Sequence, residues 1–179
     1  GARYRSKFAV VMVSRKEIFA VGLDPGFSLL GTGLWQRHAC FSNRDIAGPW
    51  AGWAEGVGTT GALAGPVASI GTFTANHRGR VRSSRLASVG GTLVDRVTLR
   101  GTLAVERDGL GLASYPAQGG NPPEEVAFVI AGGDTVFAVA LGQGAITRGV
   151  FRRQRLPAQG FRDSDFRGRL AFDVHGNVI

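Results

Sequence analysis

The chain has 179 residues, 28 of them glycine, with 44% apolar residues and a formal net charge of +8. That length suits one domain with room for a core, and the apolar share excludes global disorder. The glycines have no period of three, which excludes collagen, and no apolar run approaches the roughly 18 residues needed to cross a bilayer as a helix.

Residues 1–39 read as an N-terminal extension. The stretch "RYRSKFAVVMV" offers a basic start and an apolar run, but Ser14, Arg15, Lys16 and Glu17 break it before it has the form of a signal peptide. In "LLGTGLWQRHAC" the polar Gln36, Arg37 and His38 separate the apolar part from Cys40, so it does not read as a lipoprotein signal either. One strand is predicted here, over residues 8–13. Residues 40–155 are expected to form a β-barrel domain. Strands are predicted at 50–57, 67–76 and 80–89, the last ended by Gly90 and Gly91. In the fourth, within 95–109, Val97, Leu99, Leu103 and Val105 alternate with Arg96, Arg100, Thr102 and Glu106. A fifth covers 110–116, "GGNPPEE" reads as a loop, 126–141 form a hairpin around Gly132, Gly133 and Asp134, and 145–154 complete the set. Consecutive short strands with hairpin-length links predict an all-β fold, an eight-stranded antiparallel up-and-down barrel with N- and C-terminal extensions. Closure leaves no exposed edge. Residues 156–179 form a tail that resembles the start of another strand–turn unit, with Leu170 and Phe172 on one face of a strand at 169–174.

One phrase recurs: "GTFTANHRGRV" at 71–81, "GTLAVERDGLG" at 101–111 and "GRLAFDVHGNV" at 168–178. Each copy is an alternating strand followed by a polar triplet and a glycine. A type I turn closed by a residue at positive φ makes a bulged hairpin, and glycine takes that conformation without steric cost. Gly79 and Gly109 are therefore expected at positive φ.

The chemistry-bearing residues are sparse. Cys40 is the single cysteine, so the core must hold the fold without an intrachain disulfide. His38, His77 and His175 lack metal-ligand spacing, and nothing calls for a cofactor. Cys40 and His38 would share a strand face, but no protease or transferase motif accompanies them. The densest basic run, "RGVFRRQR" at 148–155, suits a solvated rim; no RNP1 phrase, zinc-finger spacing or basic helix supports nucleic-acid binding. No catalytic set is visible.

The segments "CFSNRDIAGPWAGWAEG", "PVASIGTFTANHRGRV", "RGTLAVERDGLG", "VAFVIAGGDTVFAVA" and "AITRGVFRRQ" together resemble a group of mostly uncharacterised, glycine-rich bacterial β-barrel proteins. These are similar in architecture to lipocalin and allene oxide cyclase type barrels. The resemblance covers about residues 40–154 and lies in turns and strand spacing. It departs from the group where Trp50 replaces a tyrosine and where Asn76, His77 and Arg78 replace an Asp-Gly turn. It implies a barrel and carries over no catalytic residues.

An eight-stranded barrel is filled by side chains or holds one small ligand. Trp50, Trp53, Phe73, Phe128 and Phe137 are the large apolar strand residues expected to fill it or to line a ligand site. Glu55 shares a face with Trp53: facing inward it would be an acid, base or ligand anchor, facing outward a solvated charge. Three function classes follow: a module binding a small apolar ligand, a cyclase or isomerase acting on a hydrophobic intermediate, and a structural subunit of a homo-oligomer built by strand addition. The third draws on strands 126–131 and 135–141, which are apolar on both faces. A closed barrel needs one apolar face, so the other is expected to be covered by an end of the chain or by another subunit.

Overall fold

The computed structural model describes residues 8–22, 30–36, 40–58, 64–142, 145–157, 159–162 and 165. After a small sheet of β1 (Phe8–Ser14), β2 (Glu17–Gly22) and β3 (Leu30–Leu34) comes one helical turn, α1 (Asn43–Ile46). Eight strands follow: β4 (Gly48–Gly58), β5 (Gly65–Ala75), β6 (Arg80–Val89), β7 (Thr92–Val105), β8 (Leu110–Tyr115), β9 (Glu124–Ala131), β10 (Thr135–Gly142) and β11 (Ala145–Arg153). They form a closed antiparallel barrel in chain order, with β11 returning to pair with β4. This is the up-and-down topology that the strand spacing predicts.

Alternation explains the walls. Along β5, Val67, Ser69, Gly71 and Phe73 are the more buried residues, and Ala68, Ile70, Thr72 and Thr74 between them are exposed. The core gathers Trp50, Leu99, Leu103, Phe128, Ile130 and Val136 from four strands. The hairpins close as expected: Gly79 has φ 76° and Gly109 φ 88°. In the first, Asn76 Oδ1 accepts from the backbone of Arg78 and Arg80; in the second, Asp108 Oδ1 accepts from Leu110. These short polar side chains satisfy turn amides that would otherwise lack partners.

One end of the barrel is sealed. Ser42 caps α1 in a reciprocal capping box with Asp45, and the turn delivers Ile46, 1% exposed, over the barrel end. Trp50 is fully buried beneath it and donates from Nε1 to the Ile46 carbonyl at 2.8 Å. Its ring stacks on Phe73 at 5.7 Å, and the Arg153 guanidinium lies 4.5 Å from its centroid on β11. Arg153 also donates to the carbonyls of Ala47 and Asp45, tying the last barrel strand to the segment before the first.

The N-terminal extension departs from the expectation of a single strand. β1, β2 and β3 form an antiparallel meander. The third strand, "LGTGL", has two glycines and weak intrinsic strand preference, so its sequence conceals it. The segment from Thr32 to Gln36 stands over Val129, Ala131 and Phe137 on the outer wall of β9 and β10, and Gln36 donates to the Ile130 carbonyl at 2.8 Å. The doubly apolar strands thus find part of their cover within the chain. The strand predicted at 169–174, the third copy of the repeated phrase and the Cys40–His38 pair involve positions outside the described residues.

Candidate functional site

The barrel is not completely filled. A cavity of about 110 Å³ runs along its interior from Ile46 at the sealed end towards Thr147, Ala140 and Glu124 at the other. Its apolar wall comes from Phe73, Leu103, Phe128, Val136 and Phe151. The space exists because the intervening inward positions are small: Ala54 on β4, Gly71 on β5, Ala138 and Ala140 on β10, Gly149 on β11. Gly111 does a related job on β8, where a Cβ would stand 2.3 Å from the tip of the Phe128 ring.

A polar group faces this cavity. Arg85 Nη1 donates to Glu124 Oε1 at 2.7 Å, with the Glu124 side chain 11% exposed and that of Arg85 39% exposed. Tyr115 is buried and lines the cavity with Ser83. Burial holds the phenol above its usual pKa; the Ser83 hydrogen bond pulls it down, the Glu124 charge pushes it up and the Arg85 charge lowers it. The phenol is therefore neutral at ordinary pH. Arg85 stands opposite Gly71 on β5 and Val97 on β7. The β6–β7 ladder shifts register between Arg85 and Ala87, so a bulge lies beside the one arginine that lines the cavity among the described residues.

The six residues singled out from the sequence divide evenly. Phe73 and Phe128 line the cavity, and Trp50 lies beneath it in the seal. Trp53, Glu55 and Phe137 lie on the outer wall, away from the cavity, and for Glu55 this is the solvated alternative. On β4 an inward Trp50 places Trp53 and Glu55, at odd offsets from it, on the opposite face. Trp53 is 48% exposed, and Glu55 pairs with Arg148 at 2.7 Å across the β4–β11 ladder. Phe137 instead helps to line a shallower cleft of about 530 Å³ beneath the segment from Thr32 to Gln36.

Four polar residues escaped the sequence reading: Ser83, Arg85, Tyr115 and Glu124. A signal for two of them was present, because Ser83 and Arg85 share the parity of apolar Val81 on β6. It is faint in a strand whose two faces are both rich in polar residues. Glu124 was hidden by its neighbours: "GGNPPEE" reads as loop, whereas β9 begins at Glu124 and pairs it with Tyr115.

No family model matches the chain, and no curated protein sequence matches it. Among solved structures, a de novo designed fluorescence-activating β-barrel is similar at 17% identity and a TM-score of 0.44, covering 63% of this chain and 96% of its own. An S-type phycobiliprotein lyase from Guillardia theta is similar at 10% identity and a TM-score of 0.38, covering 64% and 92% respectively. These are likenesses of barrel architecture alone.

Proposed function

We propose that the barrel binds one small, mainly apolar molecule in its interior cavity. The observation that carries this reading is the combination of an unfilled apolar interior with a polar group concentrated at one end of it. Sites of that character, apolar walls with a few placed polar groups, are the usual form of small-molecule pockets. Size limits the ligand. An apolar cavity of about 150 Å³ takes benzene, whereas drug-sized sites run from about 300 Å³ upwards. The 110 Å³ here suits a single ring or a short branched chain, with any remainder of the ligand reaching into the mouth. Toluene tests this by ligand-observed NMR. Saturation transfer to toluene by the native protein, abolished in an Ala138→Leu variant whose circular dichroism is native, supports the reading. No transfer in the native protein, or equal transfer in the filled variant, overturns it.

A specific observation also favours assembly as a second reading. Within the described residues β1 pairs with β2 alone, and Val10, Val11, Met12 and Val13 are all exposed. An uncharged apolar edge strand is suited to pairing with the same strand of a second copy. A concentration-dependent dimer by sedimentation, lost on Val11→Lys, is the expected result; a monomer at all concentrations excludes it.

A further inference from the structure

Resting on the reading of the barrel as a small-molecule site, we infer that its ligand carries a neutral oxygen acceptor, a carbonyl or ether, at one end of its apolar body, and that Arg85 and Tyr115 select that acceptor. An arginine presents five N–H donors and stays protonated in proteins. Arg85 directs Nη1 to Glu124, and its side chain lies along the cavity wall. Tyr115 is a neutral phenol. Tyr115 lines the same cavity beside Ser83, and a neutral phenol carries one O–H donor. The cluster is therefore rich in donors.

Its net charge is zero, and that decides between ligand classes. Glu124 already neutralises Arg85, and its carboxylate is nearly buried. A ligand carboxylate would approach the same guanidinium next to a like charge in a poorly solvated place, which disfavours its ionised form. A ligand ammonium would meet Arg85 itself. A hydrocarbon of the same shape would fill the apolar wall but strip water from donors and give them nothing in return, the situation in which polar sites discriminate most strongly. A neutral acceptor satisfies the donors without disturbing the Arg85–Glu124 pair.

The contrast with the outer wall supports a role beyond folding. There the Glu55–Arg148 pair lies across adjacent strands in solvent, where ion pairs ordinarily lie. Arg85 and Glu124 instead bridge from β6 to β9, strands that are not neighbours in the barrel, along the margin of its unfilled volume.

Four probes of nearly the same shape separate the classes: acetophenone and benzamide as neutral acceptors, cumene as the hydrocarbon and benzoate as the anion. Their binding to the full chain is measured by NMR titration at neutral pH. The expected result is acetophenone and benzamide tighter than cumene and benzoate by about tenfold or more, the scale of one hydrogen bond to a charged donor. Tyr115→Phe should weaken acetophenone several-fold and leave cumene unchanged. Glu124→Gln should raise benzoate affinity, since it unmasks the Arg85 charge. Cumene equal to or tighter than acetophenone, or benzoate tightest of the four, overturns this inference while leaving the barrel as a binding site. Failure of all four probes to bind overturns the parent reading instead. If Glu124→Gln loses its fold by circular dichroism, the Tyr115→Phe comparison decides: equal losses for acetophenone and cumene reject the selection.

Discussion

The two ends of the barrel each hold an inward-facing arginine, and the two are put to different use. At the sealed end Arg153 stacks on Trp50 and spends its donors on fixed backbone carbonyls of Ala47 and Asp45. The Trp50 indole is satisfied by Ile46, and Phe73 and Phe151 meet edge to face at 5.3 Å. At the other end Arg85 meets a carboxylate across a cavity, flanked by a phenol and serines instead of packed rings. A guanidinium clamped between an aromatic ring and carbonyls serves folding. One held at the margin of empty volume has no such packed role, and on the proposed reading its donors serve a ligand.

The largest effects are expected at the seal. Trp50→Ala should cost about 3–5 kcal/mol in denaturant unfolding, because a fully buried aromatic is replaced by a void. A cost below about 1 kcal/mol would show that the seal is not a stability element. Arg153→Met should come next, at about 1–3 kcal/mol, since it leaves two carbonyls and a tryptophan face without their cation. Hydrogen exchange at residues 43–47 should accelerate in the same variant.

At the open end the effects on stability are smaller and those on binding larger. Ala138→Leu should shift stability by no more than about 1–3 kcal/mol while removing small-molecule binding, because it adds volume where the cavity has it to spare. Alkaline pH sharpens the contrast further. Burial holds the folded-state pKa of Tyr115 above the ordinary phenol value of 10.0, so its contribution to stability is present below pH 10 and is lost as pH rises through the raised value. Tyr115→Phe should therefore flatten the alkaline limb of the melting-temperature profile and leave the neutral region nearly level. An unchanged alkaline limb would place the titration elsewhere. Smallest of all, Glu55→Gln on the outer wall should change stability by less than about 1 kcal/mol, because the Arg148 side chain is 68% exposed and the pair is screened by solvent.

The amino-acid sequence alone determined the barrel strands and their turns. Period-two alternation and the glycines at 79 and 109 are local properties, set by side-chain direction and by the steric cost of positive φ, so they are written in windows of a few residues. It also showed that strands β9 and β10 carry two apolar faces in need of cover. Tertiary structure decided which face is inside. On β4, Trp50 and Trp53 are equal claimants for the core, and only closure of the barrel with α1 over its end sends one inward and leaves the other half in water. It decided, too, that "LGTGL" is a strand, because β2 supplies hydrogen-bonding partners that its own glycines do not foretell. The cavity belongs wholly to this second kind. It is the volume left after side chains from eight strands have packed, and Arg85, Tyr115 and Glu124 meet across it from three strands separated in sequence. No local window contains that sum, because empty space is a property of the assembled wall and not of any strand in it.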